Sequence, residues 1–346
     1  MRAGARREAR GRWALGTAAV AALLALGAAP SPVVGQMLRI DQIQYTTAGD
    51  GGSPYAGQVV NCDGGVVVGK FAGTRPRLVL QDPGYPHGWG AIQVKDWVYP
   101  YQMYTDAQIG DWVKLYNMMV EEFRGTTLLQ RQSVYNPSYT IVSHGNPTPP
   151  PKLVAVSTVP APVYDPVRDG WFVADHAVEY LESMRVTVRD VSVVAIDLGK
   201  AYDNYELTDP LEHRCWVSDY MNVDATGVYH PFVAMGRHFC AVTGVFEQYT
   251  NLSEDWDYYQ IITQSSVDLA LCGDGDVDGD RDVDDWARFV ECVTGPMCEG
   301  EAGCDPPAWT LPPWNRGLQD CLMMDRDADG DVDLRDAAGY QRGFGF

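Results

Sequence analysis

The chain has 346 residues, of which 26 are basic and 46 are acidic, giving a formal net charge of −20 at pH 7. A chain this acidic repels phosphate backbones, which disfavours nucleic acid as a partner unless a local basic patch exists. The length is sufficient for two or three domains.

The first 35 residues have the pattern of an export signal. Five arginines from Arg2 to Arg12 precede an apolar run from Trp13 to Ala29, and small residues before Gln36 offer a cleavage site. We predict a signal peptide over residues 1–35, and a secreted or cell-surface protein. An uncleaved N-terminal anchor is the alternative, although the apolar run is short for a membrane span.

Residues 36–270 consist of short segments rich in Val, Tyr and Trp, separated by Gly and Pro, which is typical of small β-barrels. The order of the segments repeats, as 53–60, 77–82 and 109–123 in the first half and 180–188, 214–219 and 235–247 in the second. The proline-rich stretch 147–151 is typical of a joint between two copies. The chain is therefore predicted to be mainly β, with barrels over 36–151 and 152–270.

Four segments carry a resemblance to a known fold: Ser53–Val60, Leu80–Asp82, Gly110–Val120 and Asp257–Ile262. With these segments, the region is similar to the tandem OB-fold segments attached to some secreted bacterial nucleases and phosphoesterases. In those enzymes the hydrolase is a separate domain, and we expect no such domain here. The resemblance implies two tandem OB-like β-barrels.

Aromatic residues indicate where such barrels would hold a ligand. They crowd one loop region of the first barrel and a comparable region of the second: Trp89, Trp97, Tyr99, Tyr101 and Tyr104, then Trp216, Tyr220 and Tyr229. OB barrels bind oligosaccharides or single strands across one face and its loops, and aromatic rings stack on sugars or bases. The net charge favours an oligosaccharide. The alternative is that these rings fill the barrel ends.

The sequence contains no recognisable catalytic motif: no His-Glu-x-x-His, no Gly-x-Ser-x-Gly and no phosphate-binding loop. Its many acidic residues offer carboxylate pairs, but nothing distinguishes one of them. We therefore predict a non-catalytic binding protein. An accessory part of an extracellular hydrolase (nuclease or glycoside hydrolase) with an unrecognised site, or a structural cell-surface protein, are the alternatives.

Eight cysteines agree with an oxidising compartment. Cys215 and Cys240 lie on predicted strands of one barrel, where they can pair. Cys62 lies in the first barrel, and five more are in the acidic C-terminal region: Cys272, Cys292, Cys298, Cys304 and Cys321. Connectivity cannot be deduced from spacing alone.

The most specific motif is the acidic loop Asp325–Asp336. Ca²⁺ prefers six to eight oxygen ligands, and a twelve-residue loop supplies them from positions 1, 3, 5, 7, 9 and 12, with Gly at position 6. Gly330 occupies position 6, and Val332 at position 8 is apolar. The ligand positions are filled by Asp325, Asp327, Asp329, Asp331, Asp333 and Asp336.

A second acidic loop lies upstream, with its ligand positions filled by Asp274, Asp276, Asp278, Asp280, Asp282 and Asp285. Its position 8 is Arg281. A register two residues later places Val283 at position 8 and Ala287 at position 12, and we prefer the first register because it keeps a carboxylate at position 12. Apolar residues recur at helical spacing after this loop, which predicts a short helix there.

Two acidic loops, each followed by one helix, resemble a type I dockerin module over residues 271–346. The resemblance implies paired half EF-hands that bind Ca²⁺ and dock onto a cohesin-like domain of a scaffold or cell surface, in polysaccharide degradation. The loops depart from the family pattern because a Cys- and Pro-rich insert separates them. Together these patterns predict a secreted calcium-binding protein that docks its two barrels onto such a partner.

Overall fold

The computed structural model describes residues 36–196, 198, 204–226, 228–251 and 256–274, together with 285–286, 289–290, 324, 332 and 335–338. All of them belong to one compact unit that spans residues 32–346. The predicted signal peptide lies outside the described residues, as do most of the predicted calcium ligands. Within the described part of the chain, no helix has the length and apolar character needed to cross a membrane.

The first half of the chain forms a seven-stranded sheet and two short helices. The strands are β1 (Met37–Leu38), β2 (Val59–Phe71), β3 (Arg77–Gln81), β4 (Ala91–Asp96), β5 (Trp112–Phe123), β6 (Thr126–Arg131) and β7 (Ser138–Ser143). The helices are α1 (Ile40–Gln44) and α2 (Gln102–Asp106).

Five of these strands close into a barrel in the order β2-β3-β4-β6-β5, because β5 also pairs with β2. The pair β4–β6 is parallel, and the other four pairs of the barrel are antiparallel. A closed five-stranded Greek-key barrel of this kind is an OB-fold. The short strand β1 pairs in parallel with β2 at its edge.

Alternating apolar residues build the core of this barrel. Leu78 and Leu80 of β3 and Ile92 of β4 point inward and are at most 1% exposed, while Ile40 and Ile43 of α1 are fully buried in the same cluster. Each such side chain contributes about 1.5–3 kcal/mol by leaving water. Because side chains alternate along a strand, the residues between them project outward.

The second half forms a nine-stranded sheet. Its strands are β8 (Lys152–Leu153), β9 (Val163–Asp165), β10 (Gly170–Phe172), β11 (Arg185–Ile196), β12 (Asn204–Thr208), β13 (Arg214–Ser218), β14 (His238–Asn251), β15 (Trp256–Ile262) and β16 (Leu269–Leu271).

This sheet repeats the connectivity of the first. The barrel order is β11-β12-β13-β15-β14, the long strand β14 pairs with both β11 and β15, and the pair β13–β15 is parallel. The prediction of a mainly β chain with OB-folds is thus confirmed. The predicted match of 77–82 with 214–219 is wrong, because β3 is the second strand of its barrel whereas β13 is the third strand of the other. The true counterpart of β3 is β12, which the sequence pattern missed.

The two barrels pack against each other through a small apolar cluster. Val68 and Val79 of the first barrel contact Val245 and Ile262 of the second, and each of these residues is at most 3% exposed. Polar contacts surround the cluster, including a hydrogen bond from the Lys70 backbone N–H to Oε1 of Gln264 at 3.2 Å. The outer face of the first barrel is therefore partly covered by the second.

The cysteines pair differently from the prediction. Cys240 of β14 is bonded to Cys272, with their Cα atoms 4.8 Å apart, whereas Cys62 and Cys215 are buried thiols. The suggested pair Cys215–Cys240 is wrong because Cys215 projects into the barrel core, while the pairing of β14 with β16 brings Cys272 beside Cys240. Burial raises the pKa of both thiols to about 12.

Candidate functional site

A cavity of about 410 Å³ lies between the two barrels, and we call it the interbarrel cavity. On the first barrel it is lined by the β2–β3 loop, the outward residues of β3 and β4, and the β5–β6 turn. On the second barrel it is lined by outward residues of β12 to β15 and by the loop after β13. In an OB-fold, strands 2 and 3 and the loops that join strands 1–2 and 4–5 form the usual ligand surface. The cavity therefore occupies that surface of the first barrel.

A polar network forms the floor of the cavity. Nη1 of Arg77 on β3 lies 2.9 Å from Oε1 of Glu247 on β14, and both side chains are at least 90% buried. The other carboxylate oxygen of Glu247 accepts hydrogen bonds from the Tyr220 hydroxyl at 3.1 Å and from Nε2 of Gln260 at 3.0 Å. Nδ2 of Asn204 donates to Oε1 of the same glutamine at 2.8 Å. The network joins the two barrels and neutralises Arg77.

Two cations lie on the first-barrel side of the cavity: Arg75 is exposed at the mouth, whereas Lys95 is only 4% exposed and lies in the wall. The guanidinium carbon of Arg75, which is exposed, is 3.5 Å from the ring centroid of Trp97, and Nζ of Lys95 is 3.6 Å from that of Phe123. Cation–π contacts of this kind fix a cation against a ring while leaving its charge uncompensated. Burial and the neighbouring Arg77 lower the pKa of Lys95 to about 8, so this ammonium loses its proton at mildly basic pH.

The third cation is placed by the tight turn between β5 and β6. Arg124 and Gly125 have φ values of 57° and 87°, the positive pair that a type I′ hairpin turn requires. The carbonyl of Arg124 accepts a hydrogen bond from the backbone N–H of Thr250 at 2.6 Å. Its guanidinium group lies 5.0 Å from the Tyr249 ring centroid and donates to the hydroxyl of that residue. The second barrel thus holds this arginine at the cavity mouth.

Three cations therefore surround the cavity, and none of them forms an ion pair with a described carboxylate at 4.0 Å or less. Glu121 of β5 is the acid that attracts both Arg75 and Lys95, and Glu247 also attracts Lys95. The rings beside these cations, Phe123 and Tyr249, are only half buried. The interbarrel cavity therefore combines half-buried aromatic rings with local positive charge, on a chain whose overall charge is strongly negative.

A second polar cluster between the barrels holds buried carboxyl groups. Glu182 accepts hydrogen bonds from the backbone N–H of Thr127 at 3.0 Å and from Nε2 of Gln44 at 3.2 Å, both on the first barrel. The Tyr259 hydroxyl donates to Glu179 at 2.6 Å. Burial raises the pKa of Glu179 to about 7, and burial beside Glu179 raises the pKa of Glu182 well above its ordinary value. At neutral pH this cluster retains protons that exposed glutamates would release.

The predicted aromatic platform is dispersed in the structure. Trp216 is fully buried, whereas Tyr220 lines the interbarrel cavity and Trp97 stacks on Arg75 at its mouth. Tyr99 is 82% exposed, outside the cavity lining. Of the residues that line the cavity, sequence reasoning singled out only Tyr220 as a ligand contact. Arg75 and Arg77 adjoin the predicted strand 77–82, but the strand that carries Lys95 was not predicted, so no sequence signal brought these cations together.

Three of the predicted calcium ligands lie within the described residues. Asp274, Asp285 and Asp336 are each 1% exposed. The remaining nine lie outside the described residues: Asp276, Asp278, Asp280, Asp282, Asp325, Asp327, Asp329, Asp331 and Asp333. The described residues contain no group of three or more metal-ligating side chains.

The apolar residues that belong to the two loops lie together. Val332, at position 8 of the second loop, shares a buried cluster with Phe289, Met324, Ala241 of β14 and Ala270 of β16. The backbone of residues 335–338 is helical. This part of the C-terminal region therefore packs on the second barrel, close to the disulfide.

No protein-family model matches the chain, and no curated protein matches it. Solved structures that match it include an OB domain from Methanosarcina mazei, with 18% identity over 26% of this chain and 76% of that one, at a TM-score of 0.20. Another is Schizosaccharomyces pombe Pot1pC bound to single-stranded DNA, with 16% identity over 25% of this chain and 81% of that one, at a TM-score of 0.22. A murine DNA-binding protein bound with double-stranded DNA matches at 10% identity over 60% of this chain and 94% of that one, with a TM-score of 0.28.

These comparisons correct the predicted partners. The prediction took a cohesin-like domain or scaffold as the partner and disfavoured nucleic acid, with an oligosaccharide as a possible ligand. Several of the solved structures that match the chain contain bound DNA, so the cohesin-like partner and the exclusion of nucleic acid are wrong. The prediction failed because it was argued from net charge. Acidic residues elsewhere in the chain dominate the net charge, whereas Arg75, Lys95 and Arg124 surround the interbarrel cavity.

Proposed function

We propose that this protein is a non-catalytic binding protein that holds single-stranded nucleic acid at the interbarrel cavity. The observation that carries the proposal is the coincidence of three cations and two half-buried rings with the usual ligand surface of the first OB-fold. Proteins that bind single strands combine a positively charged groove, which follows the backbone, with rings on which bases stack. Arg75, Lys95 and Arg124 supply the charge, and Phe123 and Tyr249 supply the rings.

Fluorescence anisotropy with a labelled oligothymidylate tests this proposal. We expect the affinity to fall with salt, because each phosphate neutralised on a single strand contributes about −0.7 to the slope of log K against log salt. Replacing Arg75 and Arg124 together by Ala is expected to flatten that slope by about 1.4. Arg39→Ala is the matched control, since Arg39 is an exposed arginine paired with Asp41 and lies outside the cavity lining. An unchanged slope in the double variant would contradict the proposal.

Calcium binding by the C-terminal region is a second candidate function. It is favoured by the burial of Asp285 and Asp336, the residues at position 12 of the two acidic loops, and by the packing of Val332 on Phe289. Buried carboxylates need compensating charge, and Ca²⁺ with its oxygen ligands supplies it. A secreted protein would meet this ion in its surroundings, and the disulfide agrees with that compartment.

Calorimetric titration of the full chain with Ca²⁺ tests this second function. We expect binding that Asp325→Ala and Asp336→Ala each weaken, because each variant removes an oxygen ligand. Asp50→Ala is the control, since Asp50 is an exposed aspartate of the first barrel, outside both loops. Equal heats for the wild type and both loop variants would show that the ligand assignment is wrong.

A further inference from the structure

The ligand surface of the first barrel is closed at one end by the second barrel. Val79 on the outer face of β3 packs against Val245 and Ile262. Beside it, Nε2 of Gln93 donates to Oε1 of Glu247 at 3.3 Å, and Gln93 is fully buried. A polymer that enters from the cavity mouth cannot continue across β3 and β4, because the second barrel already occupies that path.

The interbarrel cavity is large enough for a small ligand group and is chemically suited to a nucleobase. Its volume of about 410 Å³ lies within the range of pockets that enclose small molecules. Phe123 and Tyr249 line the cavity as half-buried rings, the first beside Nζ of Lys95 and the second stacked on Tyr258. The floor offers amide and guanidinium groups. Nε of Arg77 has no hydrogen-bond acceptor among the described residues, although Arg77 is only 8% exposed. A base carbonyl or ring nitrogen in the cavity would accept that hydrogen bond.

We propose that the interbarrel cavity receives the terminal nucleotide of a single strand, so that the protein binds strand ends in preference to strand interiors. This inference rests on the proposed function and adds the position on the strand that is recognised. The terminal base lies against Phe123 and Tyr249 above the polar floor. Arg75 and Arg124 at the mouth contact the phosphates that lead outward. An interior nucleotide is disfavoured, because the chain on both of its sides would have to pass through the same mouth.

Competition between linear and circular strands tests this inference. One linear and one covalently closed circular oligothymidylate, each of about 40 nucleotides, would compete with a labelled linear strand for the wild-type protein. Both competitors are longer than the ~4–16 nucleotides that one OB-fold covers. We expect the covalently closed circle to compete about tenfold less well, since it has no end to insert and loses the stacking of one base. Equal competition by circle and line, with binding still weakened by Arg124→Ala, would overturn end recognition and leave the proposed function standing. Failure of both strands to bind would overturn both.

A pair of aromatic variants adds a second readout. Phe123→Ser is expected to remove the preference for the linear strand, because the terminal base loses a ring, while the weaker binding of the circle through the mouth cations persists. Tyr249→Leu provides an independent variant on the opposite barrel. Tyr99→Ser is the matched control, since Tyr99 is an exposed ring outside the cavity lining. Retention of the linear preference in both cavity variants would overturn the inference.

Discussion

Arg77 on the first barrel and Glu247 on the second form an ion pair of 2.9 Å whose side chains are 10% and 5% exposed. Taking two charges out of water is unfavourable, and their attraction compensates only when further hydrogen bonds satisfy the remaining atoms. Glu247 meets this condition, because Tyr220, Gln260 and Gln93 all donate to it. The pair therefore fixes the floor of the interbarrel cavity and the contact between the barrels.

Removing one charge of this pair is expected to destabilise the protein strongly. Glu247→Gln leaves the guanidinium group of Arg77 buried without a counter-charge, which costs about 3–5 kcal/mol in the free energy of unfolding. Adding Arg77→Met to the same chain is expected to recover part of this loss, since no uncompensated charge is then buried. Urea unfolding of both variants measures the difference. Equal destabilisation of the single and double variants would contradict this account of the pair.

Nucleic-acid binding is expected to weaken as pH rises from 7 to 9. The pKa of Lys95 is lowered to about 8, so its ammonium is charged below that pH and neutral above it. Loss of one of the three cations around the cavity weakens the attraction of phosphates. Lys95→Met should remove this pH dependence and bind at the weaker level throughout, whereas Lys95→Arg should bind well across the range. Anisotropy titrations at several pH values make the comparison, and an unchanged pH profile for Lys95→Met would rule out Lys95 as its source.

The β5–β6 turn is expected to tolerate no side chain at Gly125. A Cβ there would lie 2.6 Å from Oγ1 of Thr250 and 2.7 Å from Cδ of Gln248, both on the second barrel, at a φ of 87°. Gly57 provides a matched control, because its φ is 77° but nothing lies within 4 Å of its Cβ position. Gly57→Ala should therefore cost only the backbone strain, about 1–3 kcal/mol, and Gly125→Ala should cost more. Thermal melts measure both, and equal costs would mean that the barrels separate readily at this point.

The stability of the fold is expected to decrease as pH rises from about 4.5 to about 7. Glu179 has its pKa raised to about 7 by burial, so between these values the unfolded chain releases a proton that the folded chain keeps. Fewer protons bound in the unfolded state means that the free energy of unfolding falls as pH rises. The nearby Glu182 and Glu122, whose pKa values are also raised, act in the same direction, as does His176, whose pKa is raised by its hydrogen bond with Asp257.

Glu179→Gln tests this pH dependence, because an amide keeps an acceptor for the Tyr259 hydroxyl but cannot ionise. The melting temperature of this variant should vary less between pH 4.5 and 7 than that of the wild type. Glu212→Gln is the control, since Glu212 is exposed and lies outside the cluster. Parallel profiles for Glu179→Gln and the wild type would locate the pH dependence in other groups.

The sequence by itself determined the class of fold. Short segments rich in Val, Tyr and Trp, separated by Gly and Pro, predicted small barrels, because such residues favour strands and such breaks end them. The repeated order of the segments predicted two barrels. It did not reveal β4, β6 or β12, so the alignment of the copies was displaced by one strand. The sequence also shows the two acidic loops at 274–285 and 325–336. Calcium binding by these loops remains a prediction.

The tertiary structure alone decided the candidate site. Arg75 and Lys95 are 20 positions apart, Arg124 lies on a later turn, and Glu247 and Tyr249 belong to the other barrel; no pattern in the sequence joins them. They meet because the closure of each barrel brings distant strands together, and because Val79 and Val245 dock the barrels face to face. Net charge is a sum over the whole chain, whereas a bound ligand responds to the few charges within about 10 Å of it. The net charge of the whole chain is therefore not a sound reason to exclude nucleic acid as a ligand of this cavity.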